Sequence, residues 1–312
     1  MALFTTTLIG MQVSRSALSA VLLRKQSGLP TLAGSALSRI TPDMLQVNHR
    51  EPNVRQPTTF VEQLKLLREK LQTRESRVAL SLPDASGRVL LLEIDATWKN
   101  REEALEMIRW KLKKSVSLEP ANLQIDFQSL AAINDDRCPV LVAAIARPIL
   151  EQYEELLQEA GFQPAWIDFT GLSLVRAFSE YLVSSPMTGL VFWLDSTLGT
   201  IFFHSGRPVF YRTKLIPFDQ ADNVRIVMEC TYSVLAYRQQ FSGSSFDKVL
   251  YLAQNPADSA LCNLLSGCFE QSLLQLDSKG LCAVSSVALP DNMPLESITG
   301  AIAAAAGRLI CG

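Results

Sequence analysis

One outline occurs twice in this chain, at widely separated places. The first copy is LIGMQVSRSALSAVLLRKQSGLPTLAGSAL, Leu8 to Leu37, and the second is GLVFWLDSTLGTIFFHSGRPVFYRTKL, Gly189 to Leu215. In the first, apolar runs span Leu8 to Val13, Ala17 to Leu23 and, after Ser27-Gly28, Pro30 to Ser35. In the second they span Leu190 to Asp195, Leu198 to Phe203 and, after Ser205-Gly206, Pro208 to Thr213. Runs this short, rich in β-branched and aromatic residues and bounded by turn residues, read as strands. Each copy is therefore strand, short polar turn, strand, Ser-Gly turn, strand. Two such units imply a duplicated fold in which the two polar turns face each other across a cleft.

At 312 residues the chain can bury a large core and build two domains or one bilobal body. Apolar residues make up 48% and charged residues 19%, which excludes disorder, and a net charge of -2 gives no field for nucleic acid or anionic lipid. Polar residues interrupt Leu3 to Val21, so it does not read as a signal peptide. Ile298 to Ile310 is too short for a membrane span and carries Arg308. The six cysteines (138, 230, 262, 268, 282, 311) form no CxxC pair, and His49 and His204 are the two histidines. That favours buried, reduced thiols of a cytosolic protein over a zinc site.

Between the two units, Ile40 to His49 offers a short strand. Thr59-Phe-Val-Glu62 reads as a capping box opening a helix from Phe60 to Leu71. Strands are expected at Arg77 to Leu82 and Val89 to Ile94, and a helix at Asn100 to Ser115. A hairpin of Leu123 to Leu130 and Val140 to Ala146 surrounds Asn134-Asp135-Asp136. Pro148 suits the first turn of a helix reaching about Glu159, and Ala165 to Phe169 is a further strand. After the second unit come a helix from Asp222 to Gln240, a strand from Phe246 to Ala253, a helix from Asp258 to Leu274, and a loop-rich stretch. A final helix rich in small residues, Pro294 to Leu309, closes the series.

This order of elements resembles the actin-like, ribonuclease-H-type α/β fold, and within it the PilM family of type IV pilus assembly proteins, cytoplasmic relatives of FtsA. The resemblance rests on the two β units, the insert between them, the segment IDFTGLSLVRAF where the family shows a vD-x-x-x-x-al-Ra pattern, and the closing ITGAIAAAAGRL helix. It implies two lobes: residues 1–76 as the first lobe, 77–165 as an inserted α+β subdomain, 166–185 as the crossover helix, and 186–312 as a reduced second lobe. The cytoplasmic part of GspL from type II secretion shares this architecture and is the nearest alternative.

The resemblance also locates a nucleotide cleft, and here the sequence departs from the pattern. Nucleotide-binding members read roughly G-x-D-x-G-S-S-x-x-K in the first turn. This chain has Gly10, Gln12 for the acid, Ser14 for the glycine, then Arg15 and Ser16, with Ser19 at the lysine position. The second motif, D-x-G-x-x-T, keeps Asp195 and Thr200 but has Thr197 for its glycine. The Gly-Gly that receives adenosine corresponds to Ala253-Gln254. The excursion that walls the nucleotide is reduced to a single helix ending at Phe241. Losing two or three charge-assisted contacts costs about 4–7 kcal/mol, on the order of a thousandfold in affinity. The expectation is a pseudo-ATPase that uses no cofactor, ATP with Mg²⁺ being disfavoured, while an actin-like ATPase with an altered site is the competing reading.

No GxGxxG, Walker lysine loop, HExxH or GxSxG occurs. Glu102-Glu103 and Asp135-Asp136 read as solvated charges. Trp98, Trp110 and Trp166, in or beside the insert, read as packing residues that could also anchor a partner. By resemblance, the chain is a non-catalytic scaffold that binds the cytoplasmic peptide of a PilN-like inner-membrane protein in a groove between the first lobe and the insert. A cytoplasmic motor ATPase is a further implied partner. The implied location is the cytoplasm, at the inner membrane only through the partner.

Overall fold

The computed structural model describes residues 5–95, 98–115, 120–130, 137–217, 221–241, 245–254, 259–284, 288–289 and 293–311. The first β unit is an antiparallel meander of β1 (Thr6–Val13), β2 (Ala17–Lys25) and β3 (Thr31–Arg39), with Val13 opposite Leu18 at the first turn. No strand follows it within 40–49; Leu45 makes an isolated bridge to Val54 instead. Helix α1 (Pro57–Leu71) begins with Pro57 in its first turn and no side-chain cap, so the Thr59–Glu62 capping box is not formed. Proline supplies the start because its missing N–H would be unpaired there anyway. The face of α1 carrying Phe60, Val61, Leu64, Leu67 and Leu71 is buried, and the helix packs on β2 and β3.

Strand β4 (Arg77–Leu82) does not belong to the insert, where the sequence reading put it. It lies between β1 and β8 (Gln163–Phe169), parallel to both, in a six-stranded sheet ordered β14-β3-β2-β1-β4-β8, of which β14 is Ala283–Val284. Its five residues after Arg77 are all buried, as a strand covered on both faces of a parallel sheet must be. The separate sheet is narrower. It contains β5 (Gly87–Asp95), β6 (Leu123–Ser129) and β7 (Arg137–Ala146), ordered β5-β7-β6, with α2 (Arg101–Ser115) packed on β5. The tip of the expected hairpin, 134–136, lies outside the described residues. Helix α3 (Arg147–Glu159) returns to the first lobe, where Tyr153 meets Phe60 edge-on with ring centroids 6.4 Å apart.

Helix α4 (Thr170–Ala177) and the short α5 (Ser179–Leu182) lead into the second β unit, β9 (Met187–Leu194), β10 (Thr197–His204) and β11 (Arg207–Leu215). Helix α6 (Asn223–Gln240) starts at Asp222, whose carboxylate accepts the Arg225 N–H, and is the one helix between β11 and β12 (Lys248–Ala253) among the described residues. Helix α7 (Ser259–Phe269) is shorter than expected because β13 (Leu273–Gln275) takes up the residues after it. The second sheet runs β11-β10-β9-β12-β13.

The chain then goes back to the first lobe. Strand β14 (Ala283–Val284) pairs with β3, and α8 (Thr299–Cys311) packs against β1, β2, β4 and α4. The end of the chain, expected in the second lobe, is therefore built into the first. The reason is the small-residue surface of α8: Ala301 and Ala303 to Ala306 are all buried, and α8 and α4 contribute to one core cluster with apolar residues of both sheets, including Leu8, Val21, Leu190 and Phe192.

Candidate functional site

The two polar turns do more than face each other; they touch. Asp195 and Ser196 connect β9 to β10 as a two-residue turn with both residues at positive φ (48° and 62°), the handedness that a tight hairpin needs and that Asp tolerates. This turn aims the Asp195 carboxylate at the β1–β2 turn, where Oδ2 accepts the Arg15 backbone N–H at 2.7 Å. Burial raises the Asp195 carboxyl to about 7, against the lowering effects of Arg15 and Ser14. On the other side, the Asp195 N–H donates to Gln254 Oε1 at 3.2 Å, and the Gln254 N–H donates to the Trp193 carbonyl at 3.0 Å.

The β1–β2 turn is closed on itself as well. The Ser14 N–H donates to the Ala17 carbonyl at 2.9 Å, the Ser14 hydroxyl donates to that same carbonyl, and the Ala17 N–H donates to Ser14 Oγ at 3.0 Å. The amides of Ser14, Arg15 and Ala17 are all engaged within the protein. Arg15 Nη1 is buried with no hydrogen-bond partner among the described residues. Beneath the turn, α8 sits directly on β1: a Cβ at Gly10 would overlap the Ala301 carbonyl oxygen, and one at Gly300 would overlap the Gln12 side chain.

What remains is a cavity of about 420 Å³. Of the residues singled out from sequence, Gln12, Ser14, Ser16, Asp195 and Gln254 line it. Gly10 lies behind it under α8, and Arg15 touches it through Asp195. Thr197, Thr200 and Ala253 are buried in their strands, where the Thr200 hydroxyl donates to the Arg212 carbonyl at 3.3 Å. Sequence reasoning missed Arg39, Glu296, Ser297 and Gly300, which complete the wall from β3 and the start of α8. Glu296, Ser297 and Gly300 carried no signal beyond the run of small residues after them.

A second, larger concavity of about 690 Å³ lies between the insert and both lobes. Edge strand β6 forms one side with Phe127 and Leu130, α4 supplies Leu172 and Arg176, and the β10–β11 turn and α8 supply Arg207 and Arg308. Asp168 at its floor pairs with Arg176 at 2.7 Å and Arg308 at 3.3 Å, and Arg308 stacks over the Trp166 ring, 5.5 Å from its centroid. Of the other tryptophans, Trp98 packs on the core and Trp110 is exposed. His49 lies against the Arg88 guanidinium, and burial lowers its pKa.

Among the described residues there is no group of three or more His, Cys, Asp or Glu that could hold a metal ion, and no helix long and apolar enough to cross a membrane. By sequence, no family model and no curated protein matches the chain. Among solved structures, the chain is similar to a PilM–PilN type IV pilus biogenesis complex, with TM-score 0.79, 18% identity and 97% of each chain covered. It is similar to a Bacteroides thetaiotaomicron protein with an actin-like ATPase fold (TM-score 0.54, 10% identity, 95% of each chain). It is also similar to the cytoplasmic domain of EpsL, an inner-membrane component of the Vibrio cholerae type II secretion system (TM-score 0.51, 9% identity, 97% of this chain and 95% of that one). These likenesses fix the fold as actin-like, with two β units and an added sheet.

Proposed function

We propose that this chain is a non-catalytic, PilM-like scaffold of a type IV pilus or related secretion machine, which binds an extended cytoplasmic peptide of a PilN-like inner-membrane protein. The observation that carries this reading is the open groove beside β6. Strand β6 is the edge of its sheet, so one row of its backbone groups has no strand partner among the described residues. A peptide added there gains main-chain hydrogen bonds, while Phe127, Leu130 and Leu172 offer apolar contact for alternate side chains. Arg207 lies at the same groove and suits a carbonyl or carboxylate of the peptide.

The interlobe cavity supports the non-catalytic half of the reading. A phosphate cradle needs free backbone N–H groups and tolerates no competing anion. Here the amides of Ser14, Arg15 and Ala17 are engaged within the protein, the Arg15 amide by the Asp195 carboxyl itself. Gln12, packed against Gly300, lacks the negative charge of the carboxylate that would hold a hydrated metal. These features support the reading of a cavity that does not take Mg²⁺ with a nucleotide.

Two titrations test the proposal. A synthetic peptide with the cytoplasmic N-terminal sequence of the PilN-like protein from the same organism should bind with micromolar Kd, and Phe127→Lys should weaken it at least about tenfold while the variant keeps a cooperative unfolding transition. Absence of peptide binding overturns the partner. Isothermal titration with Mg²⁺ and ATP should give no heat, whereas micromolar ATP binding overturns the pseudo-ATPase reading.

A further inference from the structure

A separate chemical cluster lies on the outer helices, away from both concavities. Cys230 is on the inner side of α6 and Cys268 is near the end of α7, where its Sγ lies against the same turn of α6, 3.8 Å from the Val227 carbonyl oxygen. The Thr231 hydroxyl lies 3.4 Å from Cys268 Sγ. Cys268 lines a surface groove of about 310 Å³ with Val227, Leu235, Leu264 and Gly267. A Cβ at Gly267 would meet nothing within 4 Å, so the approach to the groove is open. Cys230 is fully buried. One sulfur is thus reachable from solvent, and the other waits behind it.

We propose that Cys268 and Cys230 form a reversible oxidation site, in which Cys268 reacts with a hydroperoxide and Cys230 resolves the product to a disulfide joining α6 to α7. The hydrogen bond from Cys230, with a smaller one from Thr231, lowers the Cys268 thiol to about 6 against burial, which raises its thiolate fraction at neutral pH. The same bond together with burial pushes Cys230 well up and keeps its proton. In the first step the Cys268 sulfur attacks one peroxide oxygen. The S–O bond forms, the O–O bond breaks, and the second oxygen leaves as hydroxide, which takes up a proton to become water. In the second step the Cys230 sulfur attacks the Cys268 sulfenic acid; the S–S bond forms, the S–O bond breaks, and water leaves with the thiol proton. Two thiols and one hydroperoxide become one disulfide and, for hydrogen peroxide, two waters. The bridge closes a loop containing β12 and the Gln254 contact to Asp195, so oxidation fastens the outer helices around the strand that supports the interlobe turn.

Hydrogen peroxide at pH 7 followed by non-reducing peptide mapping tests this on the intact chain. The expected result is a Cys230–Cys268 cross-linked peptide, two hydrogens lighter, reversed by dithiothreitol and accompanied by a higher melting temperature. In Cys230→Ser the reaction should stop at a Cys268 sulfenic acid that dimedone captures. Native alkylation of the unmutated protein should label Cys268 at least about tenfold faster than Cys262, whose thiol burial pushes up. The proposal fails if peroxide yields no such link, if the link joins other cysteines, or if Cys268 alkylates no faster than Cys262. The peptide mapping and the alkylation need no variant, so they decide the matter even if Cys230→Ser does not fold.

Discussion

At the scale of single residues, Asp195 carries the most consequence. Its carboxyl is raised to about 7 by burial, while an unfolded aspartate sits near 3.9. The native state therefore binds the proton more tightly than the unfolded state does. This contribution to stability is fully present below the unfolded value and is lost as pH rises toward 7. Asp195→Asn keeps an acceptor for the Arg15 N–H and suits the positive φ, but it removes the titration. The variant should gain on the wild type between pH 5 and pH 8 by about 1–3 kcal/mol, and urea unfolding at the two pH values measures the gain. A difference independent of pH would sink the assignment. Asp195 was legible in the sequence as a turn acid, but its acceptor role was not, because its donor is a backbone amide far away in the chain.

At the scale of elements, the contact of α8 with β1 is a joint without slack. Gly10 faces the Ala301 carbonyl with no room for a side chain. Gly10→Val should lower stability by about 3 kcal/mol or more through overpacking, read as a fall in melting temperature with increased dye binding to exposed apolar surface. Gly267→Ala in the exposed part of α7 is the contrast: with nothing nearby, it should stabilise by about 0.5–1 kcal/mol. Equal effects of the two substitutions would refute the argument. Local pattern revealed the two meanders, the amphipathic α1 and α2 and the small residues of α8, since each depends on neighbours within a few positions. It did not reveal that β4 is central, that β14 joins β3, or that α8 leaves the second lobe for the first. Those depend on which apolar face meets which, and Leu, Val and Ala carry no address.

At the scale of the whole molecule, the lobes are not separable bodies. Helices α4 and α8 share one core with apolar residues of both sheets. A polar bolt runs beside that core: Asp84, buried in the turn after β4, accepts the Tyr211 hydroxyl of β11 at 2.9 Å and the Gly171 N–H of α4 at 3.1 Å. Burial raises the Asp84 carboxyl to about 6 even with these donors, so each donor supports a costly group. Scanning calorimetry should therefore show a single unfolding transition, with calorimetric and van't Hoff enthalpies in agreement. Tyr211→Phe removes one donor and leaves the carboxylate short of a partner, a loss of about 1–3 kcal/mol. It should move that transition down without splitting it, because the apolar layer between the sheets stays intact. Two resolved transitions in the wild type would mean that α4 and α8 do not couple the sheets. A split appearing only in Tyr211→Phe would mean that the bolt, rather than the shared apolar layer, is what makes the two lobes fold as one.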